Sequence, residues 1–178
     1  PSGTINGGVA ARDGVISAVG TEANLPAATE QIDARGNYVI PGFIDPHVHW
    51  GLSRYKYEYH EGLERDFETE TRGAVHGGVT CVVNFLLQKD PYMPDMEFFI
   101  RAGEQNSYID FAYHAIVHQD HHVEEIHQLA DAGIRSYKVF FNWYKHASPE
   151  LGIDHSDAGR TYKVLDRVSE VPGGVVMF

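Results

Sequence analysis

From Phe43 onward, short apolar runs alternate with stretches of helical periodicity, and this rhythm limits the possible folds most. The apolar runs are FIDPHVH, GVTCVVNF, DFAYHAIV, GIRSYKVFF and GGVVMF. Strands that alternate with helices need crossover connections, which produce a parallel sheet covered by helices. Because the rhythm still continues at Phe178, it favours a (β/α) barrel over a finished doubly wound sheet.

The helical stretches carry their own start and stop signals. In the first of them, apolar positions from Leu63 to Val75 recur at helical spacing, and Gly77-Gly78 supplies a left-handed stop. Residues able to cap the later helices at their N-termini are Asp95, Asp120 and Asp157. Four helices are therefore expected between the five strands.

The first 41 residues follow a different pattern. The segment VAARDGVISAV predicts two short strands around Asp13-Gly14, a dipeptide that accepts the positive φ angles of a tight hairpin turn. The triplet Arg35-Gly36-Asn37 predicts a second turn between two further β segments. We therefore expect residues 1–41 to form a small β unit.

Charge and composition exclude several classes of function. The chain has 14 Lys and Arg against 25 Asp and Glu, a net charge of −11, so it lacks the basic surface that nucleic-acid binding requires. No apolar run reaches the roughly 18 residues needed to cross a membrane. One cysteine, Cys81, and the absence of a signal-peptide pattern at the first residues indicate a cytosolic protein.

His47 and His49 end the first strand of the predicted barrel. Side chains two residues apart on a strand point the same way, so both imidazoles would face the barrel interior at the carboxyl end of the strand, where barrel active sites lie. Two neutral imidazoles on one face supply half of a tetrahedral zinc site. The alternative is that they are polar residues at a strand end, and an isolated pair does not decide between the two.

Lys138 is the second candidate. If SYKVFFNWY is a strand, Lys138, Phe140 and Asn142 share a face opposite Tyr137 and its neighbours. Burial of a lysine disfavours its charged form and leaves a nucleophilic amine. A register shifted by one residue would instead place Lys138 at the rim.

The remaining histidines receive structural interpretations. His114 and His118 are expected to make hydrogen bonds near a strand end, while those around the following helix start are expected to be solvated. The latter are His121, His122 and His127. Asp45 is expected to orient the strand end that carries the histidine pair.

The segments GNYVIPGFIDPHVHW, DFETETRGAVHGGVTCVVNF and GIRSYKVFF, in this order, resemble the metal-dependent amidohydrolases, specifically the cyclic-amide branch of dihydropyrimidinase, hydantoinase, allantoinase and dihydroorotase. The likeness runs from about Gly14 to Phe178. It implies an α/β fold, the first half of a (β/α)8 TIM-type barrel with part of a small N-terminal β-sandwich domain. Residues 1–41 would be that part of the sandwich, and residues 42–178 the first four βα units and the fifth strand, so the chain is expected to be a fragment.

The resemblance also implies a site. His47 and His49 would bind the more buried of two divalent metal ions, usually zinc, and Lys138 would carry a CO2-derived carbamate that bridges them together with a hydroxide. The other ligands, two histidines and an aspartate that moves the proton, would lie outside this chain. A tyrosine expected five residues after the lysine is Trp143 here, so Tyr144 is the candidate donor to the oxyanion. Gly51 stands where dihydroorotases have an arginine, which disfavours that activity.

The implied function is hydrolysis of a cyclic amide such as a dihydropyrimidine or hydantoin, by an enzyme that forms a dimer or tetramer of identical chains. A catalytically inactive assembly protein and another binuclear amidohydrolase, such as allantoinase or urease, are the alternatives. Retention of His47, His49 and Lys138 argues against the inactive relative. With half of the ligands missing, the 178 residues alone are expected to be inactive.

Overall fold

The computed structural model describes residues 3–51, 59–140 and 157–178. The chain forms two compact units, Pro1–Pro41 and Gly42–Phe178. Within the described residues, no helix is both long and apolar enough to span a membrane.

The first unit contains one hairpin. Strand β1 (Gly8–Arg12) pairs antiparallel with β2 (Val15–Gly20), and the turn between them has φ of 52° at Asp13 and 76° at Gly14, so the predicted hairpin is confirmed. The second predicted turn also forms, with positive φ at Arg35 and Gly36. The expected strands beside that turn are absent, and this prediction was wrong. Apolar residues there are exposed and have no paired partner strand to pack on, for example Ile32 and Tyr38.

The second unit alternates strand and helix, as predicted. Its elements are β3 (Phe43–Val48), α1 (Tyr59–His76), β4 (Val79–Leu86), α2 (Met96–Asn106), β5 (Asp110–Ile116), α3 (Asp120–Glu124), α4 (Ile126–Asp131), β6 (Ser136–Lys138), α5 (Ala158–Ser169) and β7 (Val175–Met177). The five strands form one parallel sheet in the order β3-β4-β5-β6-β7. Each strand lies beside its neighbour in sequence, which is the order of a barrel segment and not of a doubly wound sheet.

The two faces of the sheet bury different residues. On β4, Val82 and Leu86 belong to the large core that the strands share with the helices, where Phe67 of α1 is also fully buried. Phe85, between them in the alternation, lies in a separate small cluster. That cluster also contains Leu87 and Ile116, and the partly buried Phe140 and Met177 pack against it. The sheet therefore has one large helix-side core and one small interior cluster.

The helix termini follow the predicted signals in part. Helix α1 ends before Gly78, whose φ is +81°, and the Asp157 side chain caps α5 by accepting a hydrogen bond from the Arg160 backbone N–H at 2.7 Å. Asp120 is not a cap, contrary to expectation: it is the first residue of α3 and pairs with the Arg160 guanidinium at 3.2 Å. A long-range ion pair thus replaces the local bond.

Three histidine side chains form hydrogen bonds with the backbone of the connection between β4 and α2. The Nε2–H groups of His118, His121 and His122 donate to the carbonyl oxygens of Gln88, Lys89 and Asp90, at 2.7, 3.0 and 3.0 Å. A carbonyl oxygen can only accept, so each Nε2 carries the proton. The expected hydrogen-bonding role of His118 is confirmed.

The expectation that His122 is solvated was wrong, because its side chain is fully buried. The Tyr92 ring stacks on it at 4.5 Å. Nearby, the Glu125 carboxylate accepts the backbone N–H groups of Tyr92 and Met93 at 2.8 and 2.9 Å. The sequence did not indicate the burial of His122 and Glu125, because their hydrogen-bond partners are backbone groups of a connection that is distant in sequence.

Stability should depend on pH through His122. Burial lowers the pKa of His122 from 6.5 to about 3, so the unfolded chain takes up a proton that the folded chain refuses. The stability present above pH 6.5 should fall as the pH is lowered towards 3, by at most about 1.4 kcal/mol per pH unit from this group. Urea unfolding at a series of pH values measures this slope.

His122→Gln, which keeps a donor near Asp90, should flatten the dependence of stability on pH. His76→Gln, at an exposed histidine of α1, should leave that dependence unchanged. Equal slopes in the parent and both variants would contradict the assignment to His122.

Candidate metal centre

His47 and His49 converge at the carboxyl end of β3. Their Nε2 atoms are 3.1 Å apart and their ring centroids 5.1 Å apart, so the two side chains lie on one face, as the alternation predicts. Two nitrogens that ligate one tetrahedral zinc at about 2.05 Å are separated by about 3.3 Å. The observed separation therefore fits a shared ion without a change of side-chain direction.

The backbone that carries the pair is fixed by side chains. The Asp45 carboxylate accepts the His47 N–H at 3.0 Å, which is the role expected for it. Just after the pair, the Asn84 amide oxygen accepts the Trp50 N–H at 2.8 Å, and Asp66 accepts the Gly51 N–H at 2.8 Å. These bonds satisfy the backbone donors where strand pairing stops.

Lys138 lies on the interior side of β6. Tyr137 and Val139, on either side of it, are fully buried in the helix-side core, so Lys138 and Phe140 face the interior, as predicted. The Lys138 Nζ is 4.5 Å from the centre of the Phe85 ring and 4.9 Å from that of Phe140. Removal from water lowers the pKa of Lys138, which raises the fraction of neutral amine.

The electrostatics of the group favour neutral imidazole. Burial, followed by the nearby charges of Lys138 and His47, lowers the pKa of His49. Neutral imidazole is the form that binds a metal ion. The surroundings of His49 thus favour its ligating state.

His114, which sequence reasoning treated as structural, also belongs to this group. Its Nε2–H donates to the Pro46 carbonyl at 3.0 Å, confirming the expected hydrogen bond, and burial lowers its pKa. Its Nδ1 is buried and has no hydrogen-bond partner. The alignment of His114 with Phe85 across the β4–β5 pair is the signal that could have placed it here, but that register is visible only in the sheet.

These residues could supply part, but not all, of the ligands of a metal ion. The imidazole separation, the neutral forms and the orphan nitrogen of His114 favour a cation among them. No three His, Cys, Asp or Glu side chains in the described ranges form a metal-binding group, so further donors are needed. Tyr144 and Trp143 lie outside the described residues.

Comparison with known proteins gives consistent relatives. The chain is 32% identical to a D-hydantoinase of Streptomyces coelicolor and 31% identical to one of Geobacillus stearothermophilus, in both cases over 93% of this chain and 34% of the relative. An allantoinase of Rubrobacter xylanophilus is 37% identical over 75% of this chain and 28% of its own length. The chain thus spans about a third of the curated relatives it matches. No family model matches it.

Solved structures agree with these relatives. A D-hydantoinase from a Bacillus species superposes with a TM-score of 0.71 at 30% identity, over 94% of this chain and 35% of that one. A second D-hydantoinase structure gives 0.71 at 32% identity, over 95% and 35%. The parallel sheet therefore matches part of a TIM-type barrel, and the predicted resemblance to cyclic amidohydrolases is confirmed.

The Asn84 contact predicts a measurable cost. Asn84→Ala removes the acceptor of the buried Trp50 N–H, and a buried donor without a partner costs about 1–3 kcal/mol. Urea unfolding should show a loss of that size. Asn106→Ala, which removes a half-buried bond to the Ala102 carbonyl at a helix end, should cost less; an equal loss in both variants would contradict a special role for Asn84.

Proposed function

We propose that this chain, a homologue of the D-hydantoinases, is part of a metal-dependent hydrolase that opens cyclic amides. The observation that carries the proposal is the convergence of His47 and His49, with their Nε2 atoms 3.1 Å apart, beside the interior-facing Lys138. The substrate class comes from the relatives, which are D-hydantoinases and an allantoinase. Because the chain spans a third of those relatives, the activity is proposed for the whole protein.

Each residue has a distinct task in this proposal. His47 and His49 would hold one of two divalent ions, zinc being the ion that imidazole ligands suit well. The Lys138 amine would add to CO2 with loss of one proton to give a carbamate, which would replace a cation that is costly to bury by an anion able to bind the divalent ions. When bound, the ions supply Lewis acidity that polarises the amide carbonyl and lowers the pKa of water.

The remaining tasks concern the substrate. Hydrolysis adds water across the C–N bond of the ring, and negative charge develops on the carbonyl oxygen during the attack. Tyr144 is proposed to donate a hydrogen bond to that oxygen, on the basis of its position six residues after Lys138. The donor strengthens as charge develops, so it lowers the barrier more than it tightens substrate binding.

The 37% identity to an allantoinase favours a second candidate within the same chemistry, an allantoinase. An inactive assembly protein is less well supported, since it would have no chemical reason to retain His47, His49 and Lys138. We further propose that residues 1–41 form part of a β-sandwich domain, that the protein is a cytosolic homo-oligomer, a dimer or tetramer, and that its partner is a small cyclic amide.

Metal content tests the proposal directly. The full-length protein should contain about two zinc ions per chain by elemental analysis. Lys138→Ala should lose most of them, because the bridging carbamate can no longer form, and should lose hydrolysis of dihydrouracil and hydantoin.

Lys163→Ala is the matched control, since Lys163 is an exposed lysine of α5. It should retain both metal and activity. Metal content that is zero in the parent protein, or unchanged in Lys138→Ala, would reject the carbamate-bridged site and favour the assembly protein.

A further inference from the structure

One aromatic ring contacts every member of the candidate metal centre. Phe85 of β4 is 1% exposed, and its ring centre is 4.7 Å from that of His47, 4.8 Å from that of His49 and 4.7 Å from that of His114. The Lys138 Nζ is 4.5 Å from the same centre. Four polar groups from three different strands or strand ends therefore share one apolar neighbour.

The contacts have defined orientations. His49 stacks on Phe85 with 17° between the ring planes, whereas His47 and His114 are tilted by 56° and 38°. A stacked ring restricts rotation about the last side-chain torsion of the histidine, and that rotation sets where Nε2 points. Phenylalanine does not form conventional hydrogen bonds, so it restrains these rings without competing for their nitrogen lone pairs.

The Nε2 atoms of the three histidines have polar partners other than Phe85. The Nε2 atoms of His47 and His49 approach each other, and the Nε2–H of His114 donates to Pro46. A branched aliphatic side chain could fill the volume but has no flat face on which an imidazole can stack. The flat Phe85 ring thus suits the orientation in which His47 and His49 direct their Nε2 atoms towards each other.

We propose that Phe85 is a positioning residue of the metal centre, whose ring holds His47, His49, His114 and Lys138 in the arrangement that binds metal. This inference rests on the proposed function and deepens it. Residues that orient metal ligands typically change metal affinity about 10- to 100-fold when they are replaced. Phe85 acts through the ligands and does not touch the ion.

The test is zinc affinity in the full-length protein, measured by competition with a chromophoric chelator. Phe85→Leu, which keeps an apolar side chain but removes the ring, should raise the dissociation constant for Zn²⁺ by at least about tenfold. Phe85→Met, which is unbranched and adapts to the available space, should do the same and replaces Phe85→Leu if that variant does not fold. At saturating Co²⁺, both variants should also show a changed visible absorption spectrum, because that spectrum reports ligand geometry.

Phe99→Leu is the matched control. Phe99 is fully buried in the helix-side core, where its ring contacts Phe98 and Tyr113. This variant should lower the melting temperature yet change zinc affinity less than about twofold, since its effect is on stability alone.

The outcomes separate the two claims. If the Phe85 variants keep the parental dissociation constant for Zn²⁺ and the parental cobalt spectrum, the inference is overturned and the proposed function still stands. Equal weakening in Phe99→Leu also overturns the inference, since the effect is then one of general stability. Absence of zinc binding in the parent protein overturns both.

Discussion

The two-residue alternation of side chains along buried parallel strands is the constraint on which the rest of this structure depends. On β4 it sends Val82 and Leu86 into the core under the helices and Phe85 into the interior. On β6 it buries Tyr137 on the helix side and turns Lys138 inward. A one-residue slip would exchange the two sets, placing a lysine in the apolar core and a tyrosine at the candidate metal centre.

Polar groups at the strand ends are satisfied by partners that are remote in sequence. Asn84 accepts the Trp50 N–H, and three histidines and Glu125 bind the backbone of the connection after β4. Connections at the carboxyl ends of barrel strands carry the site, so they need a fixed shape although they lack regular hydrogen bonding. Buried side chains supply that shape here, at the cost of keeping His122 neutral.

The fold and part of the site could be predicted because their signals are local. The Asp13-Gly14 hairpin, the Asp157 cap, the helix stop at Gly78 and the shared face of His47 and His49 all depend on residues close in sequence. The errors arose where a distant residue was decisive. Asp120 pairs with Arg160 instead of capping α3. His122 is buried against the connection between β4 and α2, where it donates a hydrogen bond to the Asp90 carbonyl oxygen.

The sequence by itself determined the alternation of strands and helices and the shared face of His47 and His49, because residue type and spacing within each segment are sufficient for both. The register of Lys138 was left open by the sequence, and the burial of Tyr137 and Val139 on the helix side turned Lys138 inward. Only the tertiary structure decided that Phe85 lies against the histidine pair and Lys138 and that His114 joins them with an unpartnered Nδ1. Those contacts depend on the register between neighbouring strands, and that register is set by packing across the whole sheet.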